Sequence, residues 1–342
     1  MGRRCQPQSI EPKWQKYWKA NDSFKIREDT ANTAKGSYPL VAVLLCTHHG
    51  ARFLSEQLIS IKNQTHKNFT IWASDDNSKD ATHSILEQYQ NLWGEDQLLI
   101  GFGPQKDFIA NFLFQICNKD IEADYFAYAD QDDIWEPDKL SRAIVELERV
   151  PKDVPSLYCS RTRLVDEKNR DIGYSPLFKK SPAFTNALVQ NIGGGNTMVM
   201  NKAACKLLRS AGEKVVVSHD WWTYLLITGA GGTVIYDSYP SVRYRQHNYN
   251  LVGSNITLGA RISRILMLLK GRFQNWNTIN TQALLQVRNL LTTENQCILD
   301  NFCTARKQWL ISRIWGIGEL GLYRQTFMGN LGLIAATVLN KL

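Results

Sequence analysis

Residues 125–140 read YFAYADQDDIWEPDKL, and this stretch decides the fold of the chain. The six residues from Asp124 to Ala129 are rich in aromatics and alanine, which is typical of a buried strand. The segment 136–138, Glu-Pro-Asp, is typical of a helix start. The tetrad 130–133, Asp-Gln-Asp-Asp, therefore follows the carboxyl end of a predicted strand, where open α/β sheets bind ligands.

Three carboxylates within this tetrad repel one another unless a hard cation or a donor-rich ligand neutralises them. Because oxygen ligands suit Mg²⁺ or Mn²⁺, the tetrad predicts a metal–diphosphate site. The alternative is a solvated acidic turn that caps the next helix.

Strand-like and helix-like segments alternate from Tyr38 onward. They are a strand over 39–46, a helix over 52–62, a strand over 69–74, a helix over 81–93, a strand over 98–102 and a helix over 108–117. This alternation predicts an α/β fold with a mostly parallel sheet flanked by helices. Right-handed crossovers then place the strand ends along one edge.

A second acidic cluster, Asp75-Asp76-Asn77-Ser78, directly follows the strand FTIWAS. A carboxylate here can accept the ring N–H of a pyrimidine, while Ser78 or Asp80 caps the following helix. A pure helix cap is the alternative for each residue. We expect both acidic clusters to meet in one crevice.

Composition limits the class of protein. With 342 residues and 44% hydrophobic content, the chain can bury one large core or two modest ones. Its seven cysteines form no C-x-x-C pair and are typical of reduced thiols in a cytosolic protein. Neither a hydrophobic run of roughly 18 residues nor a signal-peptide core is present, so we expect a cytoplasmic protein.

The formal charge of +8, with a pI near 9.0, favours a polyanionic partner. Nucleic acid and an anionic membrane leaflet are both compatible with it, and charge alone does not choose between them. The motifs below favour a membrane surface over nucleic acid.

Three stretches are predicted: an N-terminal helical extension and linker (1–37), a main domain (38–255) and a basic helical C-terminal region (256–342). Within the first, residues 10–25 (IEPKWQKYWKANDSFK) resemble the N-terminal segment of leucyl-type class I aminoacyl-tRNA synthetases. None of the synthetase's catalytic motifs follows. We expect Trp14 and Trp18 to pack against the main domain.

Four motifs in order carry a second resemblance. They are residues 41–82 (VAVLLCTHHGARFLSEQLISIKNQTHKNFTIWASDDNSKDAT), 125–140, 218–222 (SHDWW) and 242–255 (VRYRQHNYNLVGSN). The chain resembles the inverting family 2 glycosyltransferases of the GT-A fold, particularly the bacterial rhamnosyltransferase-like branch of polysaccharide synthesis. The resemblance implies a sheet that binds a nucleotide-sugar donor.

The resemblance also implies roles for the donor-side residues. Asp76, beside Asp75, would recognise the nucleobase, with Thr47 lining the base pocket. Asp130 would face the ribose or metal, Asp132 would be the main ligand of a divalent cation, Mn²⁺ or Mg²⁺, and Asp133 would support it or approach the sugar. Asn111 would contact the donor, or alternatively satisfy a backbone group.

The chain departs from the family pattern at His48-His49, where a Tyr-Asn pair is usual. Consecutive residues on a loop seldom ligate one ion without further ligands, so stacking of His48 on the base is the favoured interpretation.

Asp220 is the predicted general base that deprotonates the acceptor hydroxyl, with an N-cap role as the alternative. Trp221 and Trp222 would supply packing or a sugar platform on the acceptor side. Gly194 and Gly195, in NIGGGN, are predicted to form a flexible acceptor-side loop. A dinucleotide fingerprint would require a strand before the glycines and a long helix after them, and neither is predicted here.

The run 243–247 combines two cations and an imidazole. Arg243, Arg245 and Gln246 suit diphosphate oxygens, and His247 suits a metal ligand beside Asp132. An ordinary basic edge strand is the alternative. Asn250 and Gly253 extend the match and indicate a loop that closes over the donor.

Clustered bases characterise the C-terminal region. Arg261, Arg264, Lys270 and Arg272 oppose Leu266, Leu269 and Phe273 in a basic amphipathic pattern. Such a face suits the inner surface of the plasma membrane. The alternative is a helical subdomain packed on the catalytic sheet.

The sequence thus predicts a metal-dependent inverting glycosyltransferase that acts on a glycan or a polyprenyl-diphosphate-linked glycan. L-Rhamnose from dTDP-rhamnose is the first expectation for the donor, and UDP-linked galactose or glucose is the second. Two alternatives belong to other classes: an RNA-binding or synthetase-associated module, and a catalytically silent nucleotide-sugar sensor.

Overall fold

The computed structural model describes residues 38–247 and 271–342, which contain nine strands and eleven α-helices. The strands are β1 (Val41–Thr47), β2 (Phe69–Asp75), β3 (Leu98–Phe102), β4 (Tyr125–Ala129), β5 (Ile134–Trp135), β6 (Ser156–Val165), β7 (Asp171–Tyr174), β8 (Val199–Asn201) and β9 (Thr233–Arg245). The helices are α1 (Leu54–Lys62), α2 (Thr82–Trp93), α3 (Phe108–Cys117), α4 (Lys139–Leu147), α5 (Phe184–Ala187), α6 (Lys202–Ala211), α7 (His219–Gly229), α8 (Arg272–Gln286), α9 (Thr293–Ala305), α10 (Leu310–Glu319) and α11 (Phe327–Val338).

The strands form one sheet in the order β3-β2-β1-β4-β8-β6-β9-β5, with β7 paired to β6. Strands β1 to β4 run parallel to one another, whereas β8 and β5 run antiparallel to their neighbours. The chain builds outward from β1 to β3 and then returns to place β4 on the other side of β1. This reversal opens the crevice in which α/β sheets bind ligands.

Both faces of the sheet are covered, as the continuous apolar run of β1 predicts. Val41, Val43 and Leu45 join the core formed with α1, α2 and α4. Ala42 and Leu44 point the other way, into the core formed with α3, α6 and α7.

The C-terminal helices extend that second core. Phe273, Leu284, Phe302 and Leu333 belong to the same buried cluster as Leu44. Phe273 is therefore a core residue and not part of an outward apolar face. None of the helices in residues 38–247 and 271–342 combines the length and apolar character needed to cross a bilayer.

The predicted segments of the parallel half agree with the observed ones within two residues at each end. The predicted helix start at 136–138 agrees with the structure, because α4 begins at Lys139 with Asp138 as its N-cap. The short strand β5, which lies between the tetrad and this helix and pairs antiparallel with β9, was not predicted.

Several predictions lie outside the described residues. They concern the N-terminal extension with Trp14 and Trp18, the loop with Asn250 and Gly253, and the basic pattern from Arg261 to Lys270. The domain boundaries at 37/38 and 255/256 stay predictions.

Candidate active site

Three strand ends meet at the crevice. Thr47 ends β1 opposite Asp75 of β2, and Asp130 directly follows β4, the other neighbour of β1. The Thr47 hydroxyl donates to Asp75 Oδ1 over 2.8 Å, and the Asp76 amide donates to the Thr47 carbonyl over 2.8 Å. The sequence-predicted base pocket is thus brought together at one edge of the sheet.

Asp75 is buried and has internal partners for both of its oxygens. Its Oδ2 accepts from the Ser78 amide over 2.9 Å, and its Oδ1 accepts from the Ser78 hydroxyl over 2.6 Å. Asp75 therefore orders the turn after β2 in this structure, and Asp76 is the acid that reaches further along the crevice.

Asp76 lies against the segment that follows β3. Its Oδ1 accepts from the Gln105 amide over 2.5 Å, and its carbonyl lies 2.8 Å from His48 Nδ1. A Cβ added at Gly103 would sit 2.7 Å from Asp76 Oδ1. The absence of a side chain at Gly103 is thus what lets Asp76 occupy this position.

Asn111 is 1% exposed and engaged with the backbone. Its Nδ2 donates to the Ser74 carbonyl over 3.0 Å, and its Oδ1 accepts from the Ser74 hydroxyl over 2.6 Å. Of its two predicted roles, satisfying a backbone group is the one its contacts match.

Gln131 joins the tetrad to the loop after β1. Its Oε1 accepts from the His48 amide over 2.8 Å, and its Nε2 donates to the His48 carbonyl over 2.9 Å. One side chain therefore holds both backbone polar groups of His48. His48 itself is exposed and borders Asp76, and its stacking on a base stays a prediction.

Asp132 and His247 are brought together across the sheet. His247 Nε2 lies 2.7 Å from Asp132 Oδ2. A carboxylate oxygen beside an imidazole nitrogen is a donor set that Mn²⁺ accepts. Among the residues of 38–247 and 271–342, no group of three or more His, Cys, Asp or Glu side chains has metal-binding geometry. A divalent cation held by this pair would therefore need oxygens from water and a diphosphate, which is how Mg²⁺ is commonly bound.

Asp133, the last residue of the tetrad, is completely buried. Its carboxylate accepts from Asn196 Nδ2 over 2.5 Å and from the Arg245 amide over 3.3 Å. Burial, followed by the charges of Asp132 and Asp130, raises the pKa of Asp133 well above its ordinary range. Support, rather than contact with a sugar, is the role that this burial permits.

Asp130 also has a raised pKa. Burial is the main cause that raises its pKa to about 8, and the charges of Asp132 and Asp220 add to it. Asp220 thus acts on the tetrad from the other side of the crevice. Such a cluster fits a cation, because a bound positive charge removes this mutual repulsion.

Asp220 stands in the first turn of α7 and is partly exposed. Its Oδ2 accepts from the Gly195 amide over 3.2 Å. Gly195 is buried and begins a short 3₁₀ turn, whereas Gly194 is exposed. The glycine cluster is therefore an ordered support for Asp220 at its third glycine, Gly195, and of its three glycines only Gly194 is exposed.

The two tryptophans after Asp220 match packing, which is one of their two predicted roles. Trp221 is 6% exposed and Trp222 is 0% exposed, and the Trp221 indole donates to the Ala187 carbonyl over 2.7 Å. Because both rings belong to the core, they pack α7 in place and do not form a sugar platform in this structure.

Arg243 and Arg245 also differ from the sequence-based expectation. They lie on β9, which is flanked by β6 and β5 and is not an edge strand. Arg243 pairs with Glu136 over 2.8 Å, and Arg245 pairs with Glu56 over 2.6 Å. At 7% and 1% exposure, both guanidinium groups hold the framework of the tetrad instead of facing a diphosphate in this structure.

Arg245 is tied directly to Asp132. Its Nε donates to the Asp132 carbonyl over 2.9 Å. The backbone amide of Gln246, directly after β9, donates to the Val165 carbonyl at the end of β6 over 2.7 Å. Both residues thus fix the position of the segment that carries His247.

Sequence reasoning missed the residues that support the acids. Gln131 was seen only as a member of the tetrad, and Asn196 only as the end of a glycine cluster. A polar residue within each acidic or glycine-rich turn was the available signal. The partners Glu56 and Glu136 had no such signal, because they stand on elements distant in sequence.

His219 is a buried histidine behind the candidate base. Its ring stacks on Phe112 with centroids 4.0 Å apart, and both ring nitrogens lack a hydrogen-bond partner among the described residues. Burial is the main cause that lowers its pKa to about 4. A Cβ added at Gly195 would come within 2.2 Å of His219 Nε2, so this imidazole fills the space beneath the Gly195–Asp220 contact.

His219 is expected to make the protein acid-sensitive. The folded-state pKa of His219, about 4, lies below its ordinary value of 6.5, so the unfolded chain takes up a proton on this imidazole at a higher pH than the folded protein does. The stability contributed by the buried neutral imidazole is therefore complete above pH 6.5 and is lost as pH falls toward 4. The loss reaches at most about 3 kcal/mol, at about 1.4 kcal/mol per pKa unit. Thermal unfolding of His219→Asn between pH 7 and 4 should show a shallower decline than the wild type. His83→Asn, which changes a partly exposed histidine, should decline as the wild type does; equal slopes for all three proteins would contradict this prediction.

Comparison with known proteins agrees with this geometry. The model of the family "Glycosyl transferase family 2" matches residues 42–208. The dTDP-rhamnosyl transferase RfbG of Shigella flexneri is 29% identical over 233 residues, covering 65% of this chain and 78% of that protein. The uncharacterized glycosyltransferase RT0329 of Rickettsia typhi is 24% identical over 220 residues, covering 61% of this chain and 65% of that protein.

Among solved structures, TarS 1–349 of S. aureus in complex with UDP-GlcNAc has a TM-score of 0.51 at 15% identity, covering 88% of each chain. This likeness supports the GT-A fold of the sheet. The family match and the sequence similarity to glycosyltransferases indicate that the chain is a nucleotide-sugar glycosyltransferase. Over residues 42–208 the chain is similar to glycosyltransferase family 2.

Proposed function

We propose that the protein is a metal-dependent inverting glycosyltransferase that moves L-rhamnose from dTDP-rhamnose onto a glycan or a polyprenyl-diphosphate-linked glycan of the cell surface. The observation that carries this proposal is that one turn joins Asp220 to the acidic tetrad: the Gly195 amide donates to Asp220 over 3.2 Å, and Asn196 Nδ2 donates to Asp133 over 2.5 Å. The printed name of the Shigella relative supports the choice of donor. A cytoplasmic location at the inner face of the plasma membrane would suit a lipid-linked acceptor.

In this proposal the acceptor hydroxyl oxygen attacks the anomeric carbon while Asp220 takes its proton. The bond from that carbon to the diphosphate breaks, and the diphosphate leaves with the electron pair. A Mn²⁺ or Mg²⁺ ion held by Asp132 and His247 would stabilise the charge on the departing diphosphate. Asp220 is suited to accept the proton because it is partly exposed and oriented by Gly195.

The nucleotide would lie with its base against Asp76 and His48. A carboxylate oxygen of Asp76 can accept a pyrimidine N3–H, which both dTDP and UDP present. A UDP-hexose transferase of the same fold is therefore the second candidate, and donor turnover separates the two.

Thermal unfolding with dTDP, UDP, GDP or CMP, each with and without Mn²⁺, tests the donor site. We expect a metal-dependent stabilisation by a pyrimidine diphosphate, of roughly 2.7 kcal/mol at about 100 times its dissociation constant. Gly103→Ala should weaken it, because the new Cβ would lie 2.7 Å from Asp76 Oδ1. Gly101→Ala is the matched control, since the nearest atom to its Cβ would be 3.9 Å away.

No shift with any of the four nucleotides would contradict the proposal. Salt-sensitive binding of tRNA that survives Asp132→Ala would instead favour the RNA-binding module. If a pyrimidine diphosphate binds, turnover of dTDP-rhamnose is compared with that of UDP-galactose and UDP-glucose on acceptor extracts. Donor binding with no turnover on any extract would favour a silent sensor.

A further inference from the structure

The C-terminal helix pair α10–α11 bears a dense group of exposed apolar side chains. Of the 23 large hydrophobic residues that are exposed in the described part of the chain, 11 lie between Trp309 and Leu339. Six are at least 60% exposed and are here called the apolar ridge: Trp309 (90%), Ile311 (83%), Trp315 (70%), Phe327 (76%), Met328 (72%) and Ile334 (60%). Exposed apolar residues concentrated in this way mark an interaction surface.

The ridge follows helical spacing on both helices. Ile311 and Trp315 are four residues apart on α10, and Phe327 and Ile334 are seven apart on α11. Residues at these spacings share one face of a helix. Each helix therefore presents an apolar stripe instead of scattered apolar residues.

The opposite faces of the same helices are packed. Ile317 and Leu333 are buried in the large core. Arg313 is 6% exposed and ties the helices together, because its guanidinium donates to the Thr337 carbonyl over 2.7 Å and to Asn340 Oδ1 over 2.9 Å. The ridge is thus held outward by an ordered pair of helices.

Positive charge accompanies the ridge. Residues 256–342 contain ten Lys and Arg against three Asp and Glu, which is an excess of seven out of the chain's net charge of +8. Lys307 is exposed two residues before Trp309. An apolar surface in a region of the chain with net positive charge matches an anionic bilayer, in which tryptophans favour the headgroup boundary.

We propose that the apolar ridge is the surface by which this protein lies on an anionic lipid bilayer. This extends the proposed membrane-proximal function by naming the contacting residues, which differ from the predicted basic pattern at 261–273. A second copy of the chain fits less well, because joining two ridges would also bring together two strongly cationic regions.

The ridge is connected to the acceptor side of the crevice. Gln325, just before α11, accepts from the Lys180 amide over 3.0 Å and donates to the Lys180 carbonyl over 3.0 Å. The segment with Lys180 leads through α5 to the turn at Gly195. Seating the ridge on a bilayer would therefore fix the acceptor side of the enzyme relative to the membrane plane.

Co-sedimentation of the full chain with vesicles tests the proposal. One set is phosphatidylcholine alone, and the other contains phosphatidylglycerol at about a third of the lipid. We expect the wild type to bind the anionic vesicles and the triple variant Ile311→Ser, Trp315→Ser, Phe327→Ser to lose at least about tenfold in partitioning. Lys307→Glu should weaken binding to the anionic vesicles alone.

The double variant Leu92→Ser, Val215→Ser is the matched control, because both residues are exposed apolar residues outside the ridge. It should partition within about twofold of the wild type. The unfolding midpoint and the nucleotide-induced shift report on folding and on the donor site separately from lipid. The proposal is overturned if the wild type ignores anionic vesicles or if the triple variant binds them equally. It is also overturned if the ridge variants abolish only a dimer seen without lipid.

Discussion

Asp132→Ala is expected to abolish metal-dependent donor binding and to lower turnover by at least about 10²–10³-fold, the range found when one group that stabilises developing charge is removed. The physical reason is that Asp132 supplies the carboxylate oxygen of the only Asp–His pair in this crevice among the described residues, 2.7 Å from His247 Nε2. Without it, a cation that stabilises the leaving diphosphate loses a protein ligand. The measurement is donor turnover and nucleotide-induced thermal shift across a Mn²⁺ titration.

Asp124→Ala provides the control for this experiment. Asp124 directly precedes β4, at the end of that strand opposite to the tetrad, and its carboxylate accepts from the Leu40 amide over 2.9 Å. The Asp124→Ala variant should retain the metal dependence of the wild type even if the stability of the variant is lower. Manganese-dependent turnover at wild-type level in Asp132→Ala would remove Asp132 as a metal ligand.

Asp220→Asn is expected to lower kcat by about 10²–10⁴-fold, which is the usual contribution of a general base. The substitution keeps an oxygen that can accept from the Gly195 amide, so the turn beneath it should persist. The donor-induced thermal shift should therefore remain while turnover falls. Single-turnover kinetics, with donor binding measured in parallel, checks both halves of this expectation.

Asp171→Asn serves as the comparison, because Asp171 is exposed on β7 and makes an ion pair only at the surface, 3.4 Å from Arg163. Its turnover should match that of the wild type. Full activity in Asp220→Asn would exclude Asp220 as the base. Loss of donor binding together with turnover would instead mean that Asp220 acts on the donor.

The half of the fold that contains β1 to β4 could be predicted, because its information is local. Each strand is a short apolar run, each helix has a regular apolar face, and the acids follow the strands directly. Asp132 and His247 were predicted to come together through motif order alone. The structure places their side-chain atoms within hydrogen-bonding distance.

The functions of the arginines could not be predicted in this way. Arg243 finds its partner Glu136 at 107 residues along the chain, and Arg245 finds Glu56 at 189 residues. Nothing in the run RYRQH encodes those distances. Composition suggested anion binding, whereas the pairing of β9 with β5 and β6 turned the same charges inward.

The tryptophans illustrate a second limit. An aromatic pair after a predicted base is compatible with sugar stacking and with core packing, and the choice depends on which side of α7 meets the sheet. That orientation is set by contacts with α5, where Ala187 accepts from the Trp221 indole. Sequence periodicity indicates a helix here but not its rotation.

The side chain of Gln131 has a consequence for how ligands act on one another. By holding the amide and the carbonyl of His48 together, it makes the acidic tetrad and the loop after β1 a single mechanical unit. Under the proposed function, any displacement caused by a cation at the tetrad would be transmitted to the loop that would border the nucleobase. Thermodynamic linkage requires the reverse effect to be equal, so ion and nucleotide would each alter the affinity for the other by the same factor.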